Sequence, residues 1–248
     1  MEYSRFLDCL ATDFARLRAV VPTDPTAAVP TCPGWTVADL TRHVGEVYLH
    51  KTLAMREGAE PDPWPPKELA EEEPLALLDR AYAGLLDEFA ARKPEDPAGS
   101  WYTPDQTVGF WIRRMAHETV IHRVDAELAA GAEVAEIPAD FAADGIDEVL
   151  VTFLAYAARK WPEDFDDLLR DQGSILVGTG GARWLVRLGA GTLRVTTDSA
   201  GQAAAQVSGG PAAVLLWLWG RGADSTVRID GDPAMVARLR GTLVAATQ

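Results

Sequence analysis

The 248-residue sequence predicts an N-terminal bundle of α-helices at residues 1–168 and a small α+β domain at residues 169–248. Two observations favour this fold class. Up to about residue 160, apolar residues recur every three to four positions, as they do on one face of a helix. From about residue 173, short runs rich in β-branched residues alternate with glycine turns, which is typical of a β-meander.

Five helices are predicted in the first domain from the period of their apolar residues. The second helix begins at Thr36, because Thr36 and Asp39 have the spacing of a capping box. The fourth helix ends before Gly131, which suits the position after a helix C-terminus. The five segments cover approximately residues 6–17, 36–56, 75–89, 110–130 and 138–160, with proline-rich loops at 58–74 and 93–109.

The second domain is predicted to contain strands and two helices. SILVGT, RWLVRL and TLRVTT are predicted strands, and GTGG at 178–181 is a hairpin turn, since no helix follows it as in a phosphate loop. A weaker strand at 203–207, a helix at 211–219 and a strand at STVRID follow. The terminal helix begins at Asp232-Pro233, an N-cap followed by proline.

Composition excludes several classes of function. A net charge of −14, with scattered basic residues, argues against a nucleic-acid surface. The N-terminus lacks a signal-peptide pattern, and the longest apolar run, AAVLLWLW at 212–219, is too short to cross a membrane. Two cysteines without a C-x-x-C motif suit a reducing cytosol. We therefore expect a cytoplasmic protein, monomeric or weakly dimeric, that binds neither nucleic acid nor membrane.

The fourth predicted helix contains the sequence HETVIH at residues 117–122. His117 and His122 are five residues apart, so they diverge by about 140° and cannot chelate one ion as H-E-x-x-H does. Glu118 and His122 are four residues apart and face the same way, on an otherwise apolar stripe. Taken alone, this pair is also consistent with an exposed ion pair or a hydrogen bond in the core.

His43 on the second helix is the candidate third ligand. It lies on an apolar face, where a single histidine is more often a core residue with its hydrogen bonds satisfied. His50 lies about 10.5 Å further along the helix, too far to bind the same ion. Together, His43, Glu118 and His122 would form a three-ligand site with an open position, as in catalytic zinc centres.

For three further residues, a structural interpretation is favoured. Asp125, one turn after His122, could orient that imidazole, but a solvated helix charge is the favoured interpretation. Cys32, in the loop TCPGW, has no predicted neighbour that stabilises a thiolate, so it is expected to pack in the loop. Arg221 follows the helix that ends in the sequence WLWGR, and the dipole at a helix C-terminus stabilises a cation there.

Three motifs together, TCPGWTVADLTRHVGEVY, HETVIHRVDAE and AVLLWLWGR, resemble the mycothiol-dependent maleylpyruvate isomerase family. The resemblance covers the whole chain. It implies a DinB-like metal-binding four-helix bundle followed by a small sterol-carrier-like α+β domain. It also implies a divalent metal, usually zinc, held by His43, Glu118 and His122, with mycothiol as cosubstrate. The family uses an arginine from the C-terminal domain near the active site, and Arg221 is the best match.

The mechanism implied by this resemblance is cis–trans isomerisation, in which a mycothiol thiolate held by the metal adds to the double bond of a dicarboxylic substrate. Two alternatives stay open. A mycothiol S-transferase that acts on an electrophilic small molecule needs the same thiolate. A non-enzymatic protein could instead hold a structural metal or bind an apolar ligand.

Overall fold

The computed structural model describes residues 1–21, 23–197 and 202–247, and the chain divides into two compact units after residue 135. The first unit, residues 1–135, is a helical bundle, and the second, residues 136–248, combines helices with a β-sheet. The predicted fold class, a helical bundle followed by a small α+β region, is therefore confirmed.

The first unit is built on four long helices within its described residues. They are α1 (Tyr3–Val20), α2 (Val37–Glu57), α3 (Pro74–Ala91) and α4 (Val108–Ala129), with a short 3₁₀ helix at Lys67–Glu71. Each long helix corresponds to one of the first four predicted segments, with bounds that differ by up to three residues. Helix α2 packs along α3, α1 packs along α4, and α2 also contacts α4. This last contact joins the two helices that carry the predicted metal ligands.

Two local features fix the position of α2. The Thr36 hydroxyl accepts a hydrogen bond from the Asp39 N–H, and the Asp39 carboxylate accepts one from the Thr36 N–H, so the predicted capping box is present. Gly45 lets α2 approach α3 closely, since a Cβ there would lie 2.9 Å from the Leu77 side chain. The helical segment that carries His43 lies between these two anchors.

Helix α4 is held against α1 by buried ion pairs. Arg123 donates to Asp13 of α1 at 3.1 Å and to Glu127 at 2.7 Å, and Arg16 of α1 donates to Glu127 at 2.7 Å. Because buried charges are costly unless they are paired, this network fixes the rotation of α4 about its axis. Glu118 is five residues before Arg123, about 140° around the helix, and so faces away from α1.

The second unit pairs a five-stranded sheet with helices in its described residues. The strands are β1 (Gly173–Gly178), β2 (Arg183–Gly189), β3 (Thr192–Thr197), β4 (Ala205–Ser208) and β5 (Arg228–Gly231). Their order is β3-β2-β1-β4-β5, and only the β1–β4 pair is parallel. The predicted meander and the GTGG hairpin turn are thus confirmed. In STVRID, however, the strand is preceded by a 3₁₀ turn at Asp224–Thr226.

The helices of the second unit flank the strands in the sequence. They are α5 (Ala139–Asp147), a π-helical segment (Glu148–Ala155), α6 (Tyr156–Lys160), a 3₁₀ turn (Pro162–Phe165), α7 (Pro211–Leu218) and α8 (Pro233–Ala246). The sequence predicts one continuous helix where α5, the π segment and α6 follow one another. Across the described ranges, no helix has both the length and the apolar character needed to cross a membrane.

The boundary between the compact units differs from the predicted one. The sequence places it after residue 168, where the strands begin. In the structure, α5 packs against α7, and Asp147 at the end of α5 accepts a hydrogen bond from the indole of Trp184 on β2 at 3.1 Å. Residues from 136 onward therefore group with the sheet.

Thr36→Ala is expected to lower the free energy of unfolding by about 1 kcal/mol, because the Asp39 N–H loses its acceptor at the start of α2. Thr12→Ala is the matched control, since Thr12 is exposed in the middle of α1. The same substitution there is expected to change the free energy by less than about 0.5 kcal/mol. Urea unfolding of the metal-free proteins measures both values, and equal losses would contradict the capping role.

Candidate metal centre

Three side chains from α2 and α4 converge on one point in the first unit. Glu118 Oε1 lies 3.4 Å from His43 Nε2 and 3.2 Å from His122 Nε2, and the three candidate ligand atoms all lie within 4.8 Å of one another. In a tetrahedral zinc site with bonds of about 2.0–2.2 Å, donor atoms are roughly 3.3–3.6 Å apart. The geometry and the donor types therefore fit a divalent metal such as zinc.

The two carboxylate oxygens of Glu118 have different partners. Oε2 accepts a hydrogen bond from Arg114 at 2.5 Å, whereas Oε1 faces the two imidazoles. Burial by itself would raise the pKa of Glu118, but the positive charges of His122 and Arg114 and hydrogen bonds to both histidines outweigh it. The pKa is thereby held well below its usual value. Glu118 stays ionised, which is the form that binds a metal.

Asp125 is fully buried against His122, with its Oδ2 2.9 Å from His122 Nδ1. The favoured sequence interpretation, a solvated charge, is therefore wrong. The reason is a tertiary contact: the loop before α2 covers this carboxylate, with the Thr31 hydroxyl donating to Oδ1 and the Cys32 sulfur 3.7 Å from Oδ2. A carboxylate on Nδ1 fixes the imidazole with Nε2 directed toward the candidate metal position. The contact of the Cys32 sulfur with this carboxylate is consistent with a packing role for Cys32 in the loop.

The carboxylates of Glu118 and Asp125 control the protonation of His122. Burial lowers the pKa of this imidazole, but the charge of Glu118 and the hydrogen bonds with Asp125 and Glu118 outweigh burial and raise the pKa to about 9. In the metal-free protein, His122 therefore carries a positive charge between two negative ones. A metal that binds here would displace that proton and would replace it as the positive charge next to Glu118 and Asp125.

His43 forms the accessible side of the site. Its side chain is 36% exposed, compared with 11% for His122, and its ring packs against Trp35 with 4.9 Å between centroids. Glu118 is 16% exposed. A ligand set that is buried on one side and open on the other leaves room for a further ligand from solvent, as catalytic metal centres require.

The other two histidines lie outside this site, as the sequence predicts. His117 is on another face of α4, where its ring makes an edge contact with Phe6 of α1 at 5.8 Å between centroids. The ring of His50 contacts that of Trp64 at 4.7 Å. The geometry therefore selects Glu118 and His122 from HETVIH, and His43 from the second helix.

Arg221 belongs to the second unit and follows the C-terminus of α7. Its guanidinium donates to the carbonyl of Trp219 at 2.6 Å, which is the capping contact expected for a cation at a helix end. Its participation in a reaction stays a prediction. The residue that sequence reasoning missed is Arg114. The signal was present, because Arg114 precedes Glu118 by four residues and this spacing favours an ion pair along a helix.

Two related family models match successive parts of the chain. The family model described as the mycothiol maleylpyruvate isomerase N-terminal domain matches residues 7–127, and the corresponding C-terminal domain model matches residues 140–238. A comparison with curated protein sequences gave no match.

Two solved structures of a mycothiol-dependent maleylpyruvate isomerase have a similar fold. One is a variant in which a histidine is replaced by alanine, with a TM-score of 0.61 at 16% identity. The other has a TM-score of 0.57 at 18% identity. Each comparison covers 93% of this chain and 93% of the other.

His43→Ala is expected to abolish stoichiometric metal binding, because it removes one of three ligands. The wild type should hold about one zinc ion per chain after purification without chelators. His117→Gln is the matched control and should keep the metal, since His117 contacts Phe6 and not the donor set. Elemental analysis of the purified proteins measures the content. Full zinc content in His43→Ala, or its loss from folded His117→Gln, would contradict the proposed ligand set.

Asp125→Asn is expected to weaken zinc affinity by about 10- to 100-fold without abolishing it, because the imidazole of His122 loses its charged partner. Competition with a chromogenic chelator measures the affinity, and thermal unfolding of the metal-free protein shows whether the fold is kept. An unchanged affinity in the folded variant would show that Asp125 does not support the ligand.

Proposed function

The chain belongs to the mycothiol maleylpyruvate isomerase family, and we propose that it is a metal-dependent, mycothiol-using isomerase of small unsaturated dicarboxylates. The observation that carries this proposal is the convergence of His43, Glu118 and His122 on a site that is open on its His43 side. Family models that match both parts of the chain support the reaction class. The solved structures of similar fold are described as isomerases that depend on the same thiol.

The residues around the ligand set suit a site that holds a thiolate. A divalent metal bound there would lower the pKa of a thiol at its open position and hold the sulfur as a thiolate. Arg114 neutralises Glu118, so the centre keeps most of the positive charge that favours an anionic sulfur. Asp125 keeps the His122 imidazole oriented while the substrate and the thiol exchange.

The proposed reaction conserves the thiol. The thiolate sulfur adds to one carbon of the cis double bond, and the π electron pair moves to the conjugated carbonyl oxygen as an enolate. The former double bond is now single and rotates. When the electron pair returns, the carbon–sulfur bond breaks, the thiolate leaves and the trans double bond forms. We also propose that Arg221 binds a substrate carboxylate, since a guanidinium can bind one through two parallel hydrogen bonds.

Isomerisation of maleylpyruvate with and without mycothiol tests this function. The zinc-loaded wild type should be active only with the thiol, and His43→Ala should lose activity by about 100-fold or more. Cys32→Ser is the matched control for the protein's own thiol near Asp125 and should keep its activity.

Three outcomes would contradict the proposal. Activity that does not require mycothiol would remove the thiolate mechanism. A stable adduct between mycothiol and an electrophilic substrate, without isomerisation, would assign transferase chemistry to the same site. If neither activity occurs in zinc-loaded protein, a non-enzymatic binding role is favoured.

A further inference from the structure

Lys51 of α2 places a largely buried ammonium group near the candidate metal centre. Its side chain is 17% exposed. Its Nζ lies 5.1 Å from the centre of the Trp111 ring and 3.9 Å from the Glu60 carboxylate, which is beyond hydrogen-bond distance. In the part of the chain that the structure describes, this ammonium makes no hydrogen bond. Because a partly buried cation held only by a ring face and a carboxylate at 3.9 Å can gain a charge-assisted hydrogen bond, the position suits an anionic ligand.

The ammonium group lies over the same face of α4 that carries the metal ligands. Trp111 is seven residues before Glu118, so the two residues share a face about 10.5 Å apart along the helix axis. Arg114 lies between them in the sequence. Burial lowers the pKa of Lys51 below its usual value, although the charges of Glu60 and Glu118 oppose this shift.

The charges on this face favour an anionic ligand once a metal is bound. Arg114 compensates Glu118 through their hydrogen bond, and the two imidazoles are neutral when they bind a metal. Glu60 compensates Lys51 only partly, because its side chain is 54% exposed and screened by solvent. Asp125, which lies against His122, offsets one charge of a divalent ion, and the other charge is left over. The face becomes locally cationic in a chain with a net charge of −14, and it attracts anions.

We propose that Lys51 binds the substrate carboxylate that lies farther from the reacting double bond, and that it thereby selects small dicarboxylates over neutral electrophiles. This inference rests on the proposed function, because the thiolate at the metal defines the reacting end of the substrate. The separation of about 10 Å between Trp111 and Glu118 along α4 is comparable to the reach of a metal-bound sulfur joined to a short carbon chain. An ammonium group pairs well with a carboxylate, so this position suits a dicarboxylic substrate.

Binding of fumarylpyruvate, the trans isomer, tests Lys51 without turnover. Calorimetry on zinc-loaded protein without mycothiol compares the wild type with Lys51→Met, Lys51→Arg and the control Lys160→Met, which removes an exposed lysine of the second unit. Lys51→Met should weaken fumarylpyruvate affinity by about tenfold or more. Lys51→Arg should stay within about threefold of the wild type, because it keeps the charge. Affinity for the neutral dimethyl ester should be the same in all four proteins.

Equal fumarylpyruvate affinity in the wild type and Lys51→Met would overturn the proposal, and so would an equal loss of affinity for the neutral ester, which indicates a structural role. If Lys51→Met does not hold zinc, Lys51→Gln replaces it in the same comparison. Binding that depends on Lys51 in a protein without isomerase activity would support the subsite and reject the proposed reaction. Mycothiol-dependent isomerisation with an unchanged KM in Lys51→Met would reject the subsite and keep the reaction.

Discussion

The compensation of one largely buried carboxylate, that of Glu118, is the constraint on which the meeting of α2 and α4 at the candidate metal centre depends. An isolated carboxylate at this depth would bind a proton, because burial disfavours its charge. Arg114 instead holds Oε2 by a charge-assisted hydrogen bond, while the imidazoles of His43 and His122 approach Oε1. One oxygen thus anchors the side chain to its own helix, and the other faces α2. The ligand set is a consequence of how this charge is shared between two helices.

This arrangement balances its charges without a metal and would carry one positive charge with a divalent metal. Without one, His122 is protonated between Glu118 and Asp125, since these carboxylates raise its pKa to about 9. With one, the dication takes the place of the proton. The bundle can therefore fold before it binds metal, unlike small zinc domains that are unfolded without their ion. The core contacts of α1 with α4 and of α2 with α3 supply the stability independently of the site.

Local geometry predicts most of the helices and the choice of candidate ligands. The helical period locates the four bundle helices, and the spacing of four residues selects Glu118 and His122 over His117, because both depend only on neighbours along the chain. Asp125 could not be assigned in this way. It is buried because the loop with Thr31 folds over it, a contact between residues 94 positions apart. The boundary between the units could not be predicted for the same reason, because α5 and α7, which pack together, are far apart in the sequence.

Arg114 and Lys51 are both cations near Glu118, yet their environments suit different tasks. The Arg114 guanidinium is 4% exposed and bonded to a residue four positions away on the same helix, so this pairing forms whenever α4 forms. A rigid guanidinium fork suits a permanent counterion, whereas an ammonium on a flexible stem suits a ligand that exchanges. Lys51 reaches α4 from α2, and so does His43. The third candidate ligand, His43, and the cation over Trp111 therefore share one structural requirement, the contact between α2 and α4, and anything that shifts α2 moves both together.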